Sequence, residues 1–217
     1  MLIIQGFTVN PYQENTWVIA DQHGSCAIID PGCHTHSEQK MLKDYLDAQG
    51  WKPVVLLNTH GHVDHMLGNA WIQDQYGIPF YTHRLVVQEL DLAVSWGHMM
   101  GIQVAESPAP DRFLEAGEFV QVGEEQLEVI FTPGHSPGHI SFYHQKGGHL
   151  FSGDVLFQGS IGRTDLPGGD QATLMKSIDE SLLPLDDQVI VYPGHGASTT
   201  IGVERATNPF ILAYLNS

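Results

Sequence analysis

The stretch NTHGHVDHMLGN, residues 58–69, places three histidines and one aspartate within positions 60–65. Both side-chain types bind divalent metal ions. The preceding residues 52–58, KPVVLLN, are apolar and β-branched and predict a buried strand. Residues 65–77 have the apolar spacing of a helix that ends at Gly77. The histidines therefore lie where a strand ends and a helix begins, which is where open α/β sheets bind ligands.

Three more predicted strands are each followed by a side chain that can bind metal. Neighbouring strands lie about 4.8 Å apart, so loops that leave the same edge of a sheet can reach one point. We therefore predict that these side chains converge with the histidines of the first motif. The segments are QLEVIF at 126–131 with His135, HLFSGD at 149–154 with Asp154, and QVIVYPGHG at 188–196 with His195.

The four segments together contain the ligands of a catalytic metal site. Seven ligands are too many for one tetrahedral zinc ion and suit two metal ions that share a carboxylate. Imidazole with carboxylate favours zinc, with iron or manganese as alternatives. A catalytic site keeps one coordination position for water, so the pattern predicts metal-assisted hydrolysis. The predicted ligands are His60, His62, Asp64, His65, His135, Asp154 and His195.

Other histidines lack this context and serve as controls. The segment CHTHSEQK at 33–40 also contains two spaced histidines, but Thr35 and Glu38 have the spacing of a capping box before a helix. His144 and His149 flank the turn QKGG of a predicted hairpin, and we expect both to be exposed.

The composition of the chain indicates which binding partners and which cellular compartment to expect. The formal charge of −16 repels phosphate backbones, so we predict a small-molecule substrate and no nucleic-acid partner. No segment has the length of a membrane span, and the first residues, MLIIQGFTV, predict an edge strand rather than a leader peptide. Cys26 and Cys33 give no disulfide framework, so we expect a cytoplasmic protein. The oligomeric state stays open.

These motifs resemble those of the metallo-β-lactamase superfamily, in the same order and over nearly the whole chain. The resemblance implies an α/β (α+β) fold, an αββα four-layer sandwich of two mixed sheets with helices outside and metal ions at one rim. We expect a single domain over residues 1–217. The matching blocks are AIIDPG at 27–32, THGHVDH at 59–65, TPGHSPGH at 132–139, SGD at 152–154 and PGHG at 193–196.

The resemblance also implies roles for individual residues. Asp64 and Asp154 would be the catalytic carboxylates, and Asp30 would support the ligands from behind. The first metal ion would be bound by His60, His62 and His135, the second by Asp64, His65 and His195, and Asp154 would bridge the two.

Within the superfamily, the motifs are most similar to type II glyoxalases and their short relatives, which hydrolyse glutathione thioesters. GRTD at 162–165 also occurs in the persulfide dioxygenases, which use one iron ion. Those enzymes typically have a cysteine where this chain has His139, which favours the hydrolase. We predict a two-metal hydrolase of thioesters such as S-lactoylglutathione. The alternatives are a persulfide dioxygenase-like oxidoreductase and a metallo-hydrolase of another ester class.

One departure from the type II glyoxalases bears on the substrate rather than on the reaction. The full-length enzymes carry a C-terminal helical domain that supplies part of the glutathione site, and only a short segment follows His195 here. Residues 82–104 predict a helix that forms either an apolar wall of the site or ordinary packing. Its end is rich in Trp96, His98, Met99 and Met100.

Arg163 is the only cation in the loops that carry the predicted ligands. It could clamp a substrate carboxylate through its planar guanidinium, or it could pair with Asp165 or Asp170. Asp170 is also the predicted cap of a helix over 168–182.

Overall fold

Two six-stranded sheets packed face to face form the centre of the protein, in a computed structural model that describes residues 2–99 and 101–216. The first sheet is antiparallel from β1 to β3 and parallel from β3 to β6. In spatial order its strands are β1 (Ile3–Val9), β2 (Glu14–Ala20), β3 (Ser25–Ile29), β4 (Lys52–Leu57), β5 (Phe80–Thr82) and β6 (Arg112–Phe113).

The second sheet is also mixed, because one parallel pair lies among antiparallel neighbours. A separate short hairpin pairs β11 (Leu156–Phe157) with β12 (Ser160–Ile161). In spatial order the second sheet contains β14 (Thr199–Thr200), β13 (Ile190–Pro193), β10 (His149–Gly153), β9 (Ile140–His144), β8 (Glu125–Phe131) and β7 (Phe119–Val122).

Helices cover the outer faces of both sheets. The predicted capping box of Thr35 and Glu38 begins the first helix, and the side chain of Asp170 caps the fifth, so both predictions are confirmed. The helices are α1 (His36–Gln49), α2 (Val63–Met66), α3 (Asn69–Tyr76), α4 (Val87–Met99), α5 (Gln171–Ser177), α6 (Ile201–Thr207) and α7 (Pro209–Leu215). Short helical turns at Arg84–Val86, Gln145–Gly147 and Ile178–Leu182 adjoin them.

Three apolar layers hold the sandwich together, and β3 shows why its sequence is apolar throughout. Ala27 and Ile29 point into the core between the sheets, while Cys26 and Ile28 point to the core beneath α1, α3 and α4. A strand buried on both faces needs apolar residues at successive positions. The second sheet has a corresponding outer core with α5, α6 and α7. This αββα arrangement confirms the predicted fold.

Strand direction brings the predicted ligand loops to one rim. β3 is parallel to β4 in the first sheet, and β10 is parallel to β13 in the second. β8 runs in the same direction as β10, because each pairs antiparallel with β9. Backbone hydrogen bonds join the two rims: Ile140 N–H donates to Thr59 O at 2.9 Å, and Asn15 N–H donates to Gly194 O at 2.7 Å.

Two local predictions are wrong. The helix predicted over 65–77 is broken at Leu67 and Gly68, because Gly68 N–H donates to Pro31 O at 2.7 Å and leaves no room there for a side chain. His144, predicted to be exposed, is buried and lies 2.9 Å from Glu125 Oε2, and His149 is half-buried.

The helix predicted within 82–104 is shorter, since α4 ends at Met99. Met100 lies outside the described residues. No helix in the described part of the chain combines the length and the apolar character needed to cross a membrane.

Candidate metal centre

All seven predicted ligands lie at the rim where the parallel strands end. The loop after β4 is buried, and its last residue, His62, immediately precedes α2. Five of the seven are buried, whereas the side chains of Asp64 and His195 are 18% and 27% exposed. In chain order they are His60, His62, Asp64 and His65 after β4, His135 after β8, Asp154 after β10 and His195 after β13.

The ligand atoms form two groups. Within each group, one nitrogen or oxygen atom from every member lies within 4.8 Å of those of the other members. This spacing allows a single ion to contact all three side chains of a group. The first group is His60, His62 and His135, and the second is Asp64, His65 and His195.

Asp154 lies between the two groups and contacts both. Its Oδ2 atom is 3.5 Å from His135 Nε2 in the first group and 3.6 Å from His195 Nε2 in the second. Its Oδ1 atom is 3.4 Å from His65 Nε2. A carboxylate in this position can serve two ions at once.

Several buried ligand atoms have no hydrogen-bond partner. An unpaired buried polar atom costs roughly 1–3 kcal/mol, and here several of them face the same space. Divalent cations would satisfy them, and a set of imidazole nitrogens and carboxylate oxygens suits zinc, iron or manganese. The residues present therefore fit the metal ions that the resemblance implies. The unpartnered atoms are Nε2 of His60, His62, His65 and His135, and Oδ1 of Asp154.

Main-chain carbonyls orient two of the histidines from behind. His135 Nδ1 donates to Arg163 O at 2.7 Å, and His195 Nδ1 donates to Tyr12 O at 3.1 Å. Because a carbonyl oxygen can only accept, Nδ1 carries the hydrogen and Nε2 keeps a free lone pair. In both residues, Nε2 is the atom that faces Asp154.

Asp30 supports the loop after β4, in a left-handed backbone conformation with φ of 49°. Its Oδ1 atom accepts from Thr59 N–H at 2.7 Å, and its Oδ2 atom accepts from the Thr59 hydroxyl at 2.6 Å. Oδ2 also lies 3.1 Å from His65 Nδ1. The Thr59 hydroxyl has given its hydrogen to Asp30, so it accepts from His60 Nδ1 at 2.9 Å. One carboxylate thus orients two histidines through the ring nitrogens that face away from the site.

His139 is fully buried behind the ligands rather than among them. Its Nε2 accepts from the main-chain N–H of Asp154 at 3.1 Å, so its Nδ1 carries the hydrogen and donates to Thr132 Oγ1 at 3.0 Å. Its ring stacks on that of His60, with centroids 5.0 Å apart. His139 therefore fixes the start of the loop that carries Asp154.

Burial and neighbouring charges set the protonation of these groups. Burial would raise the pKa of Asp154, but His65 and the other histidines hold that pKa well below its usual range. Burial opposes protonation of His65, yet Asp154 and Asp64 raise its pKa well above the usual value. Burial lowers the pKa of His62 to about 3. At neutral pH, Asp154 is ionised and His62 is neutral, which are the states that bind metal, whereas His65 must release a proton to become a ligand.

A cavity of about 650 Å³ opens over the two groups. Candidate ligands line it, and Trp96 and Met99 at the end of α4 contribute to one wall, which is one of the two alternatives that the sequence left open for this helix. His98 is exposed and is not among the described residues that line the cavity. The other apolar lining residues are Val63, Phe157, Ile161, Leu166 and Pro167.

Arg163 lies at the edge of this cavity and pairs with Asp165, one of the two alternatives that its sequence context allows. Its Nε and one of its terminal nitrogens each donate to an Asp165 oxygen at 2.7 Å. Both side chains are exposed to solvent, 60% and 68% respectively.

Two buried glutamates near the ligands were missed by the sequence reasoning. Glu89 on α4 accepts from Gly61 N–H at 2.9 Å, and burial raises its pKa. Glu14 on β2 is fully buried 4.0 Å from His65 Nδ1, and burial raises its pKa as well. Neither residue belongs to a motif. For Glu89, the one available signal was an acidic residue on the buried face of a predicted helix.

A sequence model of the metallo-beta-lactamase superfamily matches residues 9–195. Among curated proteins, the "Probable metallo-hydrolase YqgX" of Bacillus subtilis is 40% identical, covering 94% of this chain and 94% of its own. The "Hydroxyacylglutathione hydrolase GloC" of Haemophilus influenzae is 37% identical, covering 96% of this chain and 97% of its own.

Solved structures of similar proteins share this fold over nearly their whole length. The B3 metallo-beta-lactamase BLEG-1 is similar with a TM-score of 0.89 and 37% identity, covering 96% of this chain and 99% of its own. TTHA1623, solved in a di-iron-bound form, is similar with a TM-score of 0.85 and 38% identity, covering 95% of this chain and 99% of its own.

Replacing Asp30 by asparagine should weaken metal binding about 10- to 100-fold, because the support of His65 and His60 from behind becomes weaker. The measurement is competition with a chromophoric chelator. Asp44→Asn, an exposed change on α1, is the matched control and should bind metal normally. Unchanged affinity in a folded Asp30→Asn protein would show that this carboxylate does not support the ligands.

Proposed function

The chain belongs to the metallo-beta-lactamase superfamily, and from that premise we propose that it hydrolyses thioesters at a centre of two divalent metal ions. Membership and the relatives make the chain a metallo-hydrolase. The proposal adds the number of ions and the substrate. Asp154 is the observation that carries it, since its two oxygens face both groups of candidate ligands.

In this proposal each ion has its own group of ligands. Bound divalent ions act as Lewis acids and lower the pKa of water, and we favour zinc, with iron or manganese as alternatives. His60, His62 and His135 would hold the first ion and Asp64, His65 and His195 the second, and Asp154 lies within reach of both groups.

The chain's own side chains have two tasks in the reaction. Backbone carbonyls and Asp30 keep the ligand nitrogens aimed inward, which fixes the geometry of the site before substrate arrives. Asp64 and Asp154 are the catalytic carboxylates. Protonated His65 lowers the pKa of both although burial opposes this, and a bound cation would do the same once His65 is a ligand, so both stay ionised and can accept hydrogen bonds from water.

A thioester suits this site because its leaving group needs little help. Water adds to the carbonyl carbon, the carbon–sulfur bond breaks, and the products are a carboxylic acid and a thiol. A thiol with a pKa near 8.5 leaves as a thiolate without a strong general acid. Among the described residues that line the cavity, the polar side chains other than candidate ligands are Tyr12, Ser160 and Arg163.

The similarity to GloC supports the same substrate class, because that protein is named a hydroxyacylglutathione hydrolase. His139 also favours hydrolysis, since it occupies the position at which persulfide dioxygenases typically have cysteine, and here its ring holds the main chain of Asp154.

Two other reactions have a specific observation in their favour. The segment GRTD at 162–165 suggests oxidation of a persulfide with one iron ion. The similarity to BLEG-1, which is described as a B3 metallo-beta-lactamase, suggests hydrolysis of a β-lactam amide.

One experiment separates the three reactions. Protein loaded with zinc or with iron is assayed against a thioester panel that includes S-lactoylglutathione, against glutathione persulfide and against a cephalosporin. Thiol release, oxygen uptake and loss of the ultraviolet absorbance of the β-lactam ring are recorded for every substrate. We expect thiol release from thioesters without oxygen uptake. Oxygen uptake with the persulfide and no thiol release from any thioester would overturn the proposal.

A further inference from the structure

We infer that the cavity over the metal centre selects thioesters whose acyl and thiol parts are both uncharged and apolar, rather than those of anionic thiols such as glutathione. The inference rests on the proposed function, which it makes more specific. It is drawn from the walls of the cavity, from the state of Arg163 and from the charge of the whole chain.

The walls of the cavity are apolar on several sides. Trp96 and Met99 reach the cavity from α4, and Phe157 and Ile161 reach it from the hairpin of β11 and β12. Met99 is 78% exposed, so its apolar side chain is open to solvent at the edge of the cavity. A cavity of about 650 Å³ lies within the size range of small-molecule sites, so an acyl chain and a short thiol arm fit together.

Among the described residues, the cavity offers an anionic substrate no cationic side chain that is free of a carboxylate partner. Among the described residues that line it, Arg163 is the only lysine or arginine, and both oxygens of Asp165 already occupy its guanidinium. This pairing uses two of the five N–H donors of the guanidinium and offsets its positive charge, so its attraction for a substrate carboxylate is weakened.

The net negative charge of the whole chain also disfavours the binding of anionic substrates. A formal charge of −16 repels anions, and the repulsion weakens as salt is added. Glutathione carries two carboxylates and one ammonium group, so its thioesters approach this surface as anions. Thioesters of an uncharged thiol such as N-acetylcysteamine meet no such repulsion and gain from contact with the apolar walls.

Binding of stable thioethers tests the inference without relying on turnover. The metal-loaded protein is titrated by calorimetry with S-butyl-, S-hexyl- and S-octyl-N-acetylcysteamine and with S-hexylglutathione, at low and high salt. We expect affinity in the neutral series to rise about two- to fourfold per methylene. S-hexylglutathione should bind no more tightly than its neutral counterpart, and added salt should strengthen its binding. Tighter binding of S-hexylglutathione that salt weakens would overturn the inference.

Substitutions of residues that line the cavity show which side chains cause the selectivity. Trp96→Ala should weaken binding of the S-octyl ligand at least about fivefold, whereas Leu92→Ala, an exposed change on the same helix, should not.

Arg163→Gln should leave binding of S-hexylglutathione unchanged. Asp165→Asn frees the guanidinium and should improve binding of S-hexylglutathione alone. A tenfold loss of S-hexylglutathione binding in Arg163→Gln would show that the arginine recognises the anion and would overturn the inference.

The inference and the proposed function can fail separately. If neutral thioethers bind as expected and no thioester is hydrolysed, the proposed reaction is wrong and the selectivity of the cavity stands. If thioesters are hydrolysed and the glutathione part adds affinity, the proposed reaction stands and the inference is wrong.

Discussion

Asp154→Ala should reduce turnover about a thousandfold and lower the bound metal from two equivalents per chain towards one. The reason is the position of the carboxylate, whose Oδ2 atom faces His135 in one group and His195 in the other. Its removal takes a ligand from both proposed ions and separates the two halves of the site. Elemental analysis of protein purified without chelator gives the stoichiometry, and a thioester assay gives the rate.

The fold should survive this change. The main-chain N–H of Asp154 still donates to His139, so the loop keeps its anchor. Asp74→Ala, an exposed change on α3, is the control and should retain both ions and full activity. If Asp154→Ala kept near-normal turnover, or if the unchanged protein were fully active with a single ion, the proposed bridging role would be refuted.

The strands and the candidate ligands at their ends could be predicted from short-range patterns, whereas the αββα arrangement was implied by the resemblance of the motifs to a known superfamily. Strand β4 is apolar over successive residues, and its end is marked by the first histidine of the motif. The same combination recurs at His135, Asp154 and His195, so the sequence indicates both the strands and the edge at which they end. The structure adds that these edges meet, through hydrogen bonds between the two rims.

What could not be predicted depends on contacts between distant segments. The break at Gly68 results from its packing against Pro31 and Cys33, and nothing in the local spacing indicates it. The sequence around Glu89 does not indicate its role, because that role arises only when α4 packs against Gly61. The pairing of Arg163 with Asp165 was one of several alternatives, because side-chain rotamers two residues apart are not determined by sequence spacing.

Glu89 also connects the helix that lines the cavity with the loop that carries two candidate ligands. It lies on the same helix as Trp96 and Met99, and it holds the main chain of Gly61 between His60 and His62. One buried hydrogen bond therefore joins α4, which contributes to the cavity wall, to the loop that carries His60 and His62.

Gly194→Ala should abolish binding of at least one ion and reduce turnover about a hundredfold or more. A β-carbon at this position would lie 2.5 Å from His65 Cε1 and in closer overlap with Asp154 Oδ1. The added methyl group therefore occupies space between two candidate ligands. Gly194 N–H donates to Gly153 O and Gly194 O accepts from Asn15 N–H, so the loop cannot move away without losing these hydrogen bonds. Elemental analysis and the thioester assay report the two effects.

Gly196→Ala is the matched control, because it makes the same change two residues along the same loop. Its β-carbon would meet open space, but its φ of 77° is strained for alanine, so we expect a loss of about 1 kcal/mol in the free energy of unfolding. Metal content and turnover should stay normal in that variant. The two glycines thus separate backbone strain from the crowding of ligands. Normal metal content in Gly194→Ala would show that the ions do not depend on the space between His65 and Asp154.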